Sequence, residues 1–178
     1  MKPNMYVVNL AQDIKTMRIR GAAEIARRAV EALKVTAQRS KARKADELVL
    51  ELETSAQTLL RTRPTAVSLP NGIRYVMHRV REAKARTSNL SVLKEVVSRS
   101  ANEFIETSRT AIEKIGDIGS KRIVDGDVLM THCNSTSAIA IIKSAKKEGK
   151  RISVIVTESR PFWQGKLTAR VLGTFGIP

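Results

Sequence analysis

Hydrophobic residues recur at helical spacing from residue 10 to about residue 115. Apolar positions at steps of three and four residues indicate a helix that buries one face. We therefore predict that this region is helical nearly throughout. In its first part the apolar positions are Ile14, Met17, Ile25, Ala29 and Leu33.

Turn-forming residues divide the rest of this region into separate helices. The run TRPTAVSLPNG, residues 62–72, contains two prolines and a glycine and is predicted to be a loop. Gly116 and Gly119 are predicted to end the last helix. The further helices are predicted at residues 44–60, 73–85 and 91–115.

The pattern changes after Asp125, where short apolar runs alternate with amphipathic stretches. DVLMTH and RISVIVTES are typical of buried strands, whereas SAIAIIKSAKKEGK and KLTARVLGTFG are typical of helices. Strand, helix, strand and helix in this order predict adjacent parallel strands with a right-handed crossover. The predicted fold class is α/β, with a helical domain over residues 1–120 and the start of a parallel sheet over 121–178.

Two strands alone would leave both edges of the predicted sheet unpaired. The final residues, FGIP, resemble a turn into a third strand. We therefore expect that the sheet continues in residues beyond Pro178 or that other chains cover its edge.

Composition limits the class of protein. Hydrophobic residues make up 42% of the chain but aromatic residues only 3%, which suits closely packed helices built from small aliphatic side chains. No run of about 18 apolar residues exists, so no membrane span is expected. With a single cysteine no intrachain disulfide can form, and a reducing cytoplasmic location is expected.

The net charge of +15 has three interpretations. Clustered Lys and Arg bind nucleic acid, but here they are interleaved with acidic residues and lack aromatic partners that stack on bases, which disfavours that partner. Solvated helix faces explain the charge equally well. A third interpretation is attraction of a small polyanionic substrate.

Candidate chemistry lies after the predicted strands, because ligands of open parallel sheets bind at the carboxyl ends of the strands. Cys133 follows the first strand directly and could be a base or a nucleophile, or simply a small buried apolar residue. The next helix begins there, and its unpaired N–H groups with the hydroxyls of Ser135, Thr136 and Ser137 could bind a phosphate. His132 is interpreted as structural, or as a residue that supports the site without contacting a ligand, since neighbouring strand residues point to opposite faces.

Two further stretches suit phosphate binding. The first stretch places an arginine guanidinium next to small residues whose backbone a ligand can approach closely. A glycine inside a helix, at a point where two helices cross, would explain the same residues equally well. The other places Arg61 and Arg63 beside Pro64 in the predicted loop, which could equally be a solvated turn. Neither Cys, His nor carboxylates are spaced as metal ligands, and no metal is expected. The first stretch is Arg20, Gly21, Ala22 and Ala23.

Four runs at matching spacing resemble the archaeal ribose-1,5-bisphosphate isomerase family. They are MRIRGAAEIAR, RPTAVSLPNGIRYV, GDVLMTHCNSTSA and VIVTESRPFWQGKLTA. They are also similar to methylthioribose-1-phosphate isomerases and to regulatory subunits of the eukaryotic translation-initiation guanine-nucleotide exchange factor. The resemblance implies a helical N-terminal domain, a Rossmann-like domain and an active site between them.

The resemblance also implies roles for individual residues. Cys133 would be the catalytic proton acceptor in conversion of ribose 1,5-bisphosphate to ribulose 1,5-bisphosphate during AMP and nucleoside degradation, without a cofactor. The partner acid would be an aspartate after Pro178, so the 178-residue chain alone is expected to be inactive. A homo-oligomer, dimeric or hexameric, is expected. The substrate-binding residues would be Arg20, Gly21, Ala22, Ala23, Arg63, Ser135, Thr136, Ser137 and Gln164.

A non-catalytic function is the alternative. The regulatory subunits bind a GTPase and would have no use for a thiol at the end of a strand. Cys133 in its THCNS context therefore favours the isomerase.

Overall fold

The computed structural model describes residues 2–178 and divides into two compact units, one that ends at Ser108 and one that covers residues 109–178. The division falls inside a long helix, α5, which extends from Leu90 to Ser120. The domain boundary at residue 120 stays a prediction. Each unit has its own hydrophobic core. None of the helices in the described part of the chain is long and apolar enough to cross a membrane.

The first unit is helical, and its core is built from aliphatic side chains. Leu33, Leu48, Leu52 and Val76 are fully buried, while Phe104 contributes a ring at the edge of the core. Small residues such as alanine on the facing surfaces allow helices to pack closely. The helices that precede α5 are α1 (Met5–Lys15), α2 (Ala22–Arg39), α3 (Ala45–Leu60) and α4 (Ser68–Arg86).

The helical pattern predicted through Ile14 and Ile25 is wrong between α1 and α2. Met17 has a left-handed φ of 59° and Gly21 has a φ of 88°, so the chain turns between the two helices. Gly21 is the N-cap of α2 and not a glycine within a helix, which excludes the helix-crossing alternative. Both helices bury their apolar faces in one core, and for that reason the spacing of apolar residues conceals the break.

The loop predicted at residues 62–72 is too long, because α4 begins at Ser68. Pro70 is the third residue of the helix, where a backbone N–H would have no partner within the helix, so proline is tolerated there. Gly72 is buried within α4, and a Cβ at this position would lie 3.0 Å from Phe104 Cζ and 3.1 Å from Val30 Cγ1. Close packing, and not a turn, requires this glycine.

The expected helix end at Gly116 and Gly119 is also wrong, since α5 continues through both to Ser120. A Cβ on Gly116 would lie 2.8 Å from Ser144 Oγ, and one on Gly119 would lie 2.5 Å from Ile141 Cγ1. Both contacts are with α6 (Thr136–Lys147). The glycines therefore allow two helices to approach closely.

The second unit confirms the α/β prediction. Strands β1 (Val128–His132) and β2 (Ser153–Thr157) pair in parallel, with His132 opposite Thr157, and α6 connects them. Helix α7 (Gln164–Gly173) follows β2. Alternate strand residues pack with these helices, whereas the other face of the sheet leaves Val128, Met130 and Ile155 at least half exposed.

The end of the chain lies beside β2. After α7 the chain turns, Ile177 enters the core of the second unit, and the carbonyl oxygen of Pro178 accepts a hydrogen bond from the N–H of Val154 at 2.9 Å. Backbone N–H groups of a strand alternate in direction, so this bond lies on the side of β2 away from β1.

We expect Gly119→Ala to destabilise the second unit. The added methyl group would overlap Ile141, and overpacking typically costs about 1–3 kcal/mol, which exceeds the gain of up to about 1 kcal/mol from replacing a helical glycine. Gly173→Ala is the matched control, because nothing lies within 4 Å of its Cβ position. Chemical denaturation would measure both free energies of unfolding. Equal effects of the two substitutions would contradict the close contact.

Candidate active site

Cys133 and Ser159 meet where the two parallel strands end. Cys133 is the first residue after β1, and Ser159 is the second after β2. The Ser159 hydroxyl lies 3.8 Å from Cys133 Sγ and donates a hydrogen bond to it. The thiol is half-buried. The ends of the two strands thus place a hydroxyl donor beside the single cysteine of the chain.

The backbone of Cys133 is held in an uncommon conformation. Its φ is 61°, in the left-handed region that non-glycine residues adopt only at a conformational cost. The hydroxyl of Thr168, on α7, donates to the carbonyl oxygen of Cys133 at 2.8 Å and lies 3.1 Å from Asn134 Oδ1. A contact from a second element thus fixes the turn between β1 and α6.

The three hydroxyl residues predicted to hold a phosphate lie at the start of α6. Ser135 is the N-cap, and its side chain accepts from the N–H of Ala138 at 3.3 Å. Thr136 and Ser137 are the first two helical residues. The backbone N–H groups at the beginning of a helix have no partner within it and carry the positive end of its dipole. The structure thus brings Ser135, Thr136 and Ser137 to the same strand end as Cys133.

Glu158 fixes the segment between β2 and α7. Its carboxylate accepts hydrogen bonds from the backbone N–H groups of Ser159, Gly165 and Lys166 at 2.6, 2.8 and 3.0 Å. Partial desolvation raises the pKa of Glu158, but these three N–H groups and the charge of Lys166 outweigh it, so the pKa lies below its ordinary value. A Cβ on Gly165 would lie 2.6 Å from the carbonyl oxygen of Thr157, so glycine is needed for α7 to start this close to β2.

Aromatic and cationic side chains surround the start of α7. Trp163 is the left-handed N-cap, with the Arg160 guanidinium 4.9 Å and the Lys166 ammonium 4.3 Å from its ring centre. Such cation–π contacts hold the positive charges close to the ring. Gln164 is the first residue of α7 and is only 8% exposed.

His132 pairs with Thr157 across the two strand ends. Its Nδ1 lies 2.7 Å from Thr157 Oγ1, and the ring is exposed. This contact is with the neighbouring strand, as expected for a structural residue. Among the described residues no group of three or more His, Cys, Asp and Glu side chains could hold a metal ion.

The remaining candidates belong to the first unit. Arg20 precedes α2, where its Nε donates to the carbonyl oxygen of Met17 at 2.7 Å. Gly21 is the N-cap of α2, and Ala22 and Ala23 begin the helix. Arg63 lies in the loop between α3 and α4. Their roles in substrate binding stay predictions.

Three residues of this arrangement were given no individual role from the sequence. Ser159 and Glu158 belong to a recognisable segment after β2, but only the structure pairs one with the thiol and the other with backbone N–H groups. Thr168 gave no signal, because a threonine within a helix most often faces solvent or its own backbone.

Comparison with known proteins places the chain in a family. Residues 18–178 match the model of the Initiation factor 2 subunit family. The chain belongs to this family. Membership accounts for the helical unit followed by an α/β unit, because the chain is similar throughout its length to solved family folds. One such structure, translation initiation factor eIF-2B, subunit delta, from A. fulgidus, superposes with a TM-score of 0.77 at 32% identity, covering 96% of this chain and 52% of that one.

Higher identity is found with proteins named ribose 1,5-bisphosphate isomerase. A ribose 1,5-bisphosphate isomerase from Pyrococcus furiosus is 54% identical over 172 residues, which are 97% of this chain and 53% of that protein. One from Archaeoglobus fulgidus is 50% identical over 173 residues, which are 96% and 52% of the two chains. The chain thus spans about half the length of the curated relatives it matches.

We expect Glu158→Gln to lower the melting temperature at neutral pH, because an amide is a weaker acceptor for three N–H groups. The folded pKa is depressed, so the stabilisation by Glu158 is present above its ordinary pKa of 4.5 and is lost as pH falls through the folded pKa. The difference between wild type and variant should therefore shrink below that pH.

Thermal unfolding between neutral pH and pH 3 would measure this difference. Glu113→Gln, at an exposed carboxylate on the part of α5 within the second unit, is the matched control. A difference for Glu158→Gln that stays constant across the range would contradict the role of its charge.

Proposed function

We propose that the protein converts ribose 1,5-bisphosphate to ribulose 1,5-bisphosphate, with Cys133 as the base. The observation that carries the proposal is the half-buried thiol at the end of β1, within hydrogen-bond reach of Ser159 Oγ and beside the start of α6. Relatives named ribose 1,5-bisphosphate isomerase, at 50–54% identity, support it.

The chemistry explains why a base is needed. The phosphate on the anomeric oxygen prevents simple opening to an aldehyde, so the bond between C1 and the ring oxygen must break with the phosphate in place. An acid group would protonate the ring oxygen as it leaves, and C1 would become an oxocarbenium carbon that accepts the electron pair of the C2–H bond. Cys133 would then accept the proton from C2, which forms a double bond between C1 and C2. Protonation of C1 and loss of the proton from the C2 hydroxyl complete the ketone, with an acid group supplying the proton to C1.

The substrate carries two phosphates, and the start of α6 is suited to one of them. Backbone N–H groups and the hydroxyls of Ser135, Thr136 and Ser137 are donors for phosphate oxygens. Gln164 is proposed to contact the sugar. Substrate-binding roles for Arg20, Gly21, Ala22, Ala23 and Arg63 belong to the same proposal. A net charge of +15 favours encounter with a polyanion.

The proposal extends to the working state of the protein. It would act in AMP and nucleoside degradation in the cytoplasm, without a cofactor, as a homo-oligomer. One solved protein of similar fold, at 22% identity, is described as a tetrameric eIF2B-beta2-delta2 complex, which is consistent with assembly into an oligomer.

The alternative is a non-catalytic partner of a GTPase, like the subunits of the translation-initiation exchange factor. The 32% identity with an eIF-2B delta structure favours it. The identity of 54% with an isomerase and the thiol beside Ser159 favour catalysis more strongly.

We expect Cys133→Ser to abolish measurable isomerisation of ribose 1,5-bisphosphate, because a hydroxyl is a far weaker base than a thiolate. General base catalysis typically contributes about 10²–10⁴-fold, so kcat should fall by at least that range. The assay uses the intact gene product, and circular dichroism checks that the variant is folded. A folded wild-type protein without turnover would contradict the isomerase and favour the GTPase-binding alternative.

A further inference from the structure

Thr168 contacts Cys133 from a different secondary-structure element. Its side chain is 1% exposed, and its hydroxyl donates to the carbonyl oxygen of Cys133, 35 positions earlier in the chain. The hydroxyl also lies 3.1 Å from Asn134 Oδ1. These contacts link α7 to the turn that carries the thiol.

Three threonines in other helices of the described chain bond differently. Thr36, Thr54 and Thr58 each donate to the carbonyl oxygen four residues earlier in their own helix. Thr168 forgoes this local bond and is directed to the residue that follows β1. Its hydroxyl therefore stabilises the position of Cys133 instead of its own helix.

The conformation of Cys133 makes such a contact necessary. A left-handed φ of 61° is disfavoured for cysteine and persists only when neighbouring groups hold it. In this conformation Cys133 Sγ lies against Ser159 Oγ. Without the Thr168 hydroxyl, the backbone could relax and turn the thiol away from Ser159.

We infer that Thr168 is a positioning residue that holds Cys133 in its left-handed conformation and so directs the thiol toward the reacting sugar. The second half of this statement rests on the proposed isomerase function. The first half concerns the thiol alone and can be tested without turnover.

The test compares Thr168→Val, which has the same shape without the hydroxyl, with Thr168→Ser, which keeps the hydroxyl. Both are made in the intact protein. The rate of alkylation of Cys133 by iodoacetamide, followed by peptide mass mapping, reports the position of the thiol. Kinetics with ribose 1,5-bisphosphate report kcat and KM, and thermal unfolding reports stability. Thr174→Val, at an exposed hydroxyl bonded within its own turn, is the control.

Thr168→Val should alkylate faster than wild type, because the thiol leaves Ser159 and becomes mobile. Its kcat should fall about tenfold or more with little change in KM, since misplacement of a catalytic group affects the chemical step. Thr168→Ser should restore both properties, and Thr174→Val should resemble wild type.

Unchanged alkylation and unchanged kcat in Thr168→Val would overturn the inference while leaving the isomerase proposal standing. Equal impairment of Thr168→Val and Thr168→Ser, in proportion to a lower melting temperature, would also overturn it. If the wild-type protein shows no turnover, the proposed function fails, and the alkylation rates alone still decide whether Thr168 positions the thiol.

Discussion

The parallel pairing of β1 with β2 determines the arrangement of the second unit. Because the strands run in the same direction, His132 and Thr157 are opposite each other and both strands end at one edge. The residues that follow β1 and β2 are therefore brought close together. Cys133 and Ser159, 26 positions apart in sequence, come within hydrogen-bond distance for this reason.

Contacts made by helix α7 and by the residues at its start fix the geometry of the segments that follow the two strands. The Glu158 carboxylate accepts hydrogen bonds from N–H groups at the start of α7, and Gly165 allows this helix to begin against Thr157. The Thr168 hydroxyl donates a hydrogen bond to the carbonyl oxygen of Cys133. These contacts combine a charged acceptor, close backbone packing and a buried hydroxyl. Each acts on the segments that flank the thiol, so the position of Cys133 depends on residues that need not touch a substrate.

The order of strands and helices in the second unit could be predicted from the sequence, but several helix ends and the contacts that hold Cys133 could not. Alternation of apolar runs predicts β1, α6, β2 and α7, because a parallel sheet needs that order. It fails at Gly119, where glycine serves helix contact instead of ending a helix, and at Gly21, where two helices share one core and conceal a break. Cys133 and the hydroxyls after it follow from the strand-end rule. Thr168 does not, since its role depends on a contact between elements and on a backbone angle.

The most direct test of the account is a crystal structure of the intact Cys133→Ser protein with ribose 1,5-bisphosphate bound. The account predicts that C2 of the sugar lies beside residue 133, within about 3–3.5 Å of the substituted side-chain oxygen, with one phosphate at the start of α6. A sugar bound away from the carboxyl ends of β1 and β2 would contradict it.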